Sequence, residues 1–286
     1  MATVYRSDDY YQAWQDGIFN KKILIEGDSW VSHPQVDNLA VQFDKATVRE
    51  ALILNLGVPG DNAGSVYGNS DAVFRANGRQ MKKLKKMLTS TRFGEKFDLI
   101  FISAAGNDII GPEIREIPLV NNKRDFPGTY GRDLINLNFF NKMDKVISGY
   151  KRFLNMLGTT VNNGTPVITH SYAYLEPRKV GTHFFGIHFN RGWIAKHLQH
   201  QGISGHDEQF EIVKEIFDRY YQHISALQAK YPQFLVVDTR TTLLKQGKPN
   251  TDWFHDEIHP TSAGFKKVFN KIRKEAISAG KWPLSN

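Results

Sequence analysis

The chain has no cysteine among its 286 residues. Disulfides, a thiol nucleophile and cysteine-ligated zinc are thereby excluded. The compartment is not fixed, because exported enzymes also lack cysteine. No stretch approaches the ~18 consecutive apolar residues that a membrane-spanning helix needs. Residues 1–22 carry Asp8, Asp9 and Asp16 and hold no apolar core, so no standard secretion signal is read there and the localisation stays open. Internal repeats, low-complexity tracts and Pro/Ser-rich linkers are also lacking, and one domain over residues 1–286 is the simplest reading. Acidic residues are in the minority, 29 against 37 Lys plus Arg, which leaves a net charge of +8. That balance permits an anionic partner, whether nucleic acid, membrane surface or acidic polymer, without selecting one.

What is present is ordinary for a globular chain. Apolar residues make up 41% and charged residues 23%, which argues against disorder, collagen and coiled coil. Five short segments rich in Ile, Leu and Val read as strands: 22–26, 52–56, 98–103, 166–171 and 234–238. Each is apolar nearly throughout, the pattern of a strand buried on both faces in a parallel sheet. Helical periodicity falls between them. Phe74, Met81, Leu84 and Leu88 share one face, and Met143, Val146, Tyr150, Phe153 and Leu157 another. A third face runs from Phe210 through Phe217 and Tyr220 to Leu227, and a last one from Phe265 to Ala276. Alternating strands and helices predict a doubly wound α/β sheet, with its site beyond the carboxyl ends of the strands. Segments 111–140 and 172–206 are too long for plain connections and are expected to be ordered insertions.

The strand ends carry the chemistry. Gly27-Asp28-Ser29-Trp30 follows the first strand and would present Ser29 as a nucleophile or as a helix cap. After the second strand, Gly57-Val58-Pro59-Gly60-Asp61 offers a turn able to aim a backbone N–H into the crevice. Gly106-Asn107-Asp108 follows the third strand, and an Asn there provides donors for an oxyanion or makes a local turn. Near the end stand Asp256 and His259, three apart, followed by Pro260 and a helix. The carboxylate can hold one imidazole nitrogen while the other faces a serine. Asp252 and His255 have the same spacing and compete for the role.

In this order, each at a strand end, the four blocks resemble the GDSL family of hydrolases, also called the SGNH superfamily. The resemblance runs from Gly27 to Gly264. It implies a flavodoxin-like three-layer α/β sandwich around a five-stranded parallel sheet. Ser29 would be the nucleophile, His259 the general base and then acid, and Asp256 the residue orienting it. The oxyanion hole would comprise the N–H of Ser29, the N–H of Gly60 and the side chain of Asn107. Hydrolysis of esters through an acyl-enzyme is implied, with no metal or organic cofactor. The substrate would be a small-molecule, lipid or acylated-carbohydrate ester. Trp30 departs from the Leu of the family name. Gly60 is favoured over Gly57 because Gly60-Asp61 matches the family's Gly-Asp pair, and Asp256/His259 over Asp252/His255 because Pro260 and Gly264 follow.

Other features weigh less. Asp28 and Asp108 are expected to accept backbone N–H groups within their turns. Trp30, Tyr172, Phe184, Phe185 and Trp193 are candidates to line an acyl or sugar pocket. His183, His188, His197, His200 and His206 match no metal-ligand spacing and read as surface or lid histidines. Lys82, Lys83, Lys85 and Lys86, and Lys266, Lys267, Lys271, Arg273 and Lys274, read as solvated helix faces. Nucleic acid is not expected as partner, since no binding module appears; attraction to an anionic membrane surface stays open, as does the oligomeric state. The competing activities are a lipase or lysophospholipase for longer acyl chains, and an inactive glycan-binding module.

Overall fold

The computed structural model describes residues 10, 12–13, 19–47, 50–63, 73–74, 78–89, 96–178 and 192–284, together with the backbone of three short strands outside those ranges. In chain order the strands are β1 (Val4–Tyr5), β2 (Lys21–Gly27), β3 (Ala51–Asn55), β4 (Leu99–Ser103), β5 (Val167–His170), β6 (Thr182–Phe184), β7 (Ile187–Phe189), β8 (Phe234–Val237), β9 (Leu244–Lys245) and β10 (Lys248–Pro249). The main sheet has the order β1-β3-β2-β4-β5-β8, and every pairing in it is parallel. Five of its strands, β2, β3, β4, β5 and β8, match the expected ones to within a residue or so at each end. The two-residue β1, too short to leave a hydrophobic pattern, adds an edge beside β3. Without that edge, the order is that of a flavodoxin-like sheet, with its switch point between β2 and β4.

Helices cover both faces. Their ranges are α1 (Ser29–Ser32), α2 (Leu39–Thr47), α3 (Arg79–Thr89), α4 (Gly106–Ile109), α5 (Glu113–Glu116), α6 (Leu137–Leu157), α7 (Ala195–His200), α8 (His206–Ser225) and α9 (Ser262–Ser278). α2 packs on α9, and α6 on α8. Phe43 anchors the first pair, its ring 4.9 Å from that of Phe101 in β4 and 5.0 Å from that of Phe269 in α9. Tyr150 of α6 anchors the other layer against Phe74 and Phe234.

Side-chain caps start several of these helices where the sequence supplies them. Asp28 accepts from the N–H of Trp30, Asn136 from that of Asn138, and Thr261 from that of Gly264. Each removes one orphan donor from a first turn. α3 turns Met81, Leu84, Met87 and Leu88 inward and leaves Lys82, Lys85 and Lys86 exposed. Lys266, Lys267 and Lys274 of α9 are likewise exposed. Among the described residues, no helix is long and apolar enough to cross a membrane.

The two long segments carry structure of their own. Residues 111–140 include α5 and a 3-10 turn, Gly131–Leu134, and the backbone bridge of Val120 with Ile135 closes them. Residues 172–206 include the β6–β7 hairpin and α7. The two segments meet where Gln201 donates to the carbonyl of Ile114 at 2.8 Å and Lys123 N–H to that of Gln201 at 3.0 Å.

Candidate active site

The switch point collects the strand-end motifs. β2 delivers Ser29 at the first residue of α1, directly after its cap Asp28. β4 delivers Asn107 within α4. The loop before α9 brings Asp256 and His259 from the far end of the chain. His259 Nε2 lies 2.7 Å from Ser29 Oγ, and His259 Nδ1 lies 2.8 Å from Asp256 Oδ2. The second carboxylate oxygen of Asp256 accepts the N–H groups of Ile258 and His259, at 2.8 and 2.7 Å. Asp256 is therefore fixed by three hydrogen bonds, all favouring its ionised form. Ser29 and His259 keep 8% and 5% of their surface exposed, while Asp256 keeps none. A proton can pass from the serine to the imidazole, and the carboxylate stabilises the resulting cation.

The competing pair does not form such a chain, although His255 lies beside it. Asp252 is exposed in a 3-10 turn capped by Asn250. His255 donates its N–H to the carbonyl of His259 at 2.8 Å and packs its ring against His33.

The remaining motif residues flank Ser29. Asn107 Nδ2 donates to the carbonyl of Asp61 at 2.9 Å, which ties the α4 turn to the Gly60 turn. The Asn107 amide carries a second N–H beyond the one in this bond. Gly60 has φ +85°, whereas Gly57 is needed for space: a Cβ there would lie 2.6 Å from Val31 Cγ2. Asp108 accepts from the N–H of Ala63.

Beneath Ser29 lies a polar chain that the motifs did not announce. Tyr172 donates its hydroxyl to Asp28 Oδ2 at 2.6 Å. The Tyr172 N–H bonds to His170 Nδ1 at 3.2 Å, so His170 carries its proton on Nε2, which faces Ser103 Oγ at 2.9 Å. Ser103 in turn donates to Asp28 Oδ1 at 3.3 Å. Burial pushes Asp28 up to about 6 against these donors, and holds His170 down to about 3. Trp30 stacks on His170, meets Tyr172 and Phe265 edge-on, and donates its indole N–H to the carbonyl of Ile258 at 3.0 Å.

Of the five aromatic candidates, Trp30 and Tyr172 are buried, with 3% and 1% exposure. Both line a small cavity from below while their polar tips are engaged inside the protein. Trp193 is half-buried at the start of the segment leading to α7, near Gly111. The backbone of Phe184 lies in β6, but its side chain, like Phe185, is outside the described residues. His183 and His188 pair in the hairpin backbone. His197 is buried, and His206 contacts Glu176 at 2.9 Å; His200 lies in the last turn of α7.

Sequence reasoning passed over His33 and Glu257. His33 stands four residues after Ser29, a spacing that returns to the same helix side, and its ring lies against that of His259. Glu257 hides beside Asp256, where a second acid reads as solvated. His33, Asp256 and His259 bring possible metal ligands within 4.8 Å of one another. His259 already uses both ring nitrogens on Ser29 and Asp256, so a metal would compete with the proton relay.

Comparison with known proteins bears on the family and the fold. The model of the GDSL-like Lipase/Acylhydrolase family matches residues 24–267. No curated protein matches the chain in sequence. Among solved structures, the lipase Lip_vut3 from a goat rumen metagenome is similar, with TM-score 0.53, 14% identity, and coverage of 92% of this chain and 98% of that one. A catalytic mutant of Axe2, an acetylxylan esterase from Geobacillus stearothermophilus, gives TM-score 0.51, 12% identity and coverages of 93% and 97%. At such identities the likeness is one of fold. The family match spans all four strand-end motifs: the chain belongs to the GDSL-like lipase/acylhydrolase family.

Proposed function

We propose that the protein hydrolyses carboxylic esters of short acyl groups through an acyl-enzyme on Ser29. The observation that carries this reading is the continuous hydrogen-bond chain Ser29–His259–Asp256, with links of 2.7 and 2.8 Å. His259 Nε2 takes the Ser29 proton as Oγ attacks the ester carbon. The oxyanion is met by the N–H groups of Ser29 and Gly60 and the Asn107 amide. Collapse breaks the ester C–O bond, and the His259 proton leaves with the alcohol. Water then attacks the acyl-Ser29 carbonyl, giving its proton to His259. A second collapse returns that proton to Ser29 and releases the carboxylic acid.

The size of the acyl group is read from the cavity beside Ser29. It holds about 20 Å³ and is lined by Asn107, Ile110, Leu175, Phe217 and Ile258 among others. That is room for roughly one water-sized group, which suits the methyl of an acetyl ester. Acetylated carbohydrate is one source of such esters, and the Geobacillus neighbour is named for one. The alternative, a lipase for long chains, would have to lead the chain out beyond this cavity.

The test is a nitrophenyl ester series from acetyl to octanoyl, with Ser29→Ala beside wild type. We expect kcat/KM to be highest for acetyl and to fall at least tenfold, about the effect of ~1.4 kcal/mol, by octanoyl. Ser29→Ala should lose roughly 10⁴-fold or more. Unchanged turnover in Ser29→Ala overturns the mechanism, and octanoyl turnover equal to acetyl turns the reading to a lipase.

A further inference from the structure

Glu257 lies between Asp256 and His259 in sequence and is fully buried. Its carboxylate accepts four backbone N–H groups. Oε1 takes those of Arg178 at 3.0 Å and Ala195 at 2.9 Å, and Oε2 takes those of Ile194 at 2.9 Å and Trp193. These donors belong to the two stems of the second insertion, on either side of the β6–β7 hairpin. Both stems therefore converge on one side chain of the triad loop.

More bonds run the same way. The Glu257 carbonyl accepts from Glu176 N–H at 3.2 Å, and the Arg178 guanidinium donates to the carbonyl of Phe254 at 2.9 Å. At Gly192, with φ +101°, an added Cβ would lie 2.7 Å from Glu257 Oε2, so the stem approaches the carboxylate as closely as a glycine allows.

A buried carboxylate is costly unless donors surround it. Among the described residues, amide dipoles rather than a cation form the contacts of this one, and burial still pushes it up to about 6. An anchor for the insertion could sit anywhere on the scaffold. Here it sits one residue from Asp256 and two from His259, so the loop holding the base cannot shift without breaking charge-assisted bonds, which are stronger than neutral ones.

We propose that Glu257 is a positioning residue: through the stems of the second insertion it holds the 254–259 loop in place and so keeps His259 aligned on Ser29. The proposal rests on the ester-hydrolase reading of Ser29. It treats the stems of the insertion as a buttress for the general base.

The experiment compares wild type, Glu257→Gln and Ser29→Ala by acetyl-ester kinetics, by thermal melting, and by the low-field proton NMR signal of the His259 Nδ1–H bond to Asp256. Glutamine keeps the shape but turns an NH2 group against amide donors. We expect kcat in Glu257→Gln to fall by about 10- to 100-fold, the scale of a small misplacement of a reacting group. KM should stay within about twofold, and the low-field signal should broaden or vanish while the fold persists. Wild-type kcat and an intact signal, with only a lower melting point, would overturn the proposal and leave Glu257 a structural anchor. Should Glu257→Gln not fold, Gly192→Ala presses on the same carboxylate from the insertion side and is read by the same criteria. The proton signal decides on Glu257 even if wild type turns over no ester, a result that would overturn the reading of Ser29 instead.

Discussion

The imidazole of His33 lies against that of His259, with ring centroids 4.4 Å apart and planes inclined by 51°. Burial, with His259 as the next contribution, pushes His33 down to about 4, so it packs on His259 as a neutral ring. In the unfolded chain it would take up a proton near 6.5. As pH falls from about 6.5 to about 4, the unfolded state gains a proton that the folded state refuses, and stability is lost. His33→Phe keeps the ring and removes that linkage. Urea midpoints measured at pH 7 and 4.5 should differ less in the variant than in wild type; an equal drop in both would contradict the assignment.

Glu26 presents the opposite sign. It is fully buried at the end of β2, one oxygen accepting from Gly27 N–H at 3.0 Å and the other without a hydrogen-bond partner among the described residues. Burial, and then the charge of Asp61, push it up to about 8. Between about 4.5 and about 8 the folded state keeps a proton that the unfolded chain has lost, so this group lowers stability as pH rises. Glu26→Gln should therefore be more stable than wild type at pH 9 and close to it at pH 5. Equal destabilisation at both pH values would sink the idea.

Asn107 supplies the one side-chain donor assigned to the oxyanion. Its loss in Asn107→Ala should lower kcat by about 10²–10³, a barrier increase of roughly 2.7–4 kcal/mol, with KM little changed. Single-turnover acylation with a nitrophenyl acetate checks this, because the effect must appear in the chemical step. A rise in KM alone would make Asn107 a binding residue.

Trp30 ties the serine turn to the histidine loop through its bond to Ile258. Trp30→Phe keeps much of the aromatic packing and leaves the Ile258 carbonyl without that donor. The expected cost is about 1–3 kcal/mol of stability, read from chemical unfolding, with a several-fold loss of kcat. A variant as stable and as active as wild type would show the bond to be incidental.

The parallel core was legible because its strands are buried on both faces, so that runs such as Ile23-Leu24-Ile25 stand out in sequence. Periodicity overreached at helix ends. Phe74 has the phase of Met81 but lies in a turn packed on Tyr150 and Phe153, since Gly78 precedes the helix and weakens any extension. Leu227 likewise falls in a 3-10 turn after α8. In the site, Ser29, Asp256 and His259, which the structure brings together, were legible because each stands in a short motif next to a strand or helix end. Glu257 was not, because its partners are backbone amides some sixty to eighty residues away. Any residue but proline can present such an amide, so no side-chain pattern marks the contact. The Tyr172–Asp28–Ser103–His170 chain escaped for a related reason: it is assembled across three neighbouring strand ends.

Ser29 and His259 meet across 230 positions of sequence. No fragment that stops short of His259 can assemble the relay, however well its sheet is formed. Loop-closure entropy grows only slowly with such a span, so the cost lies less in stability than in timing. Ester turnover would then report the joining of the two ends of the fold, and during refolding it would trail the recovery of secondary structure. A growing chain would remain inert toward the esters around it until the loop bearing its base had been made.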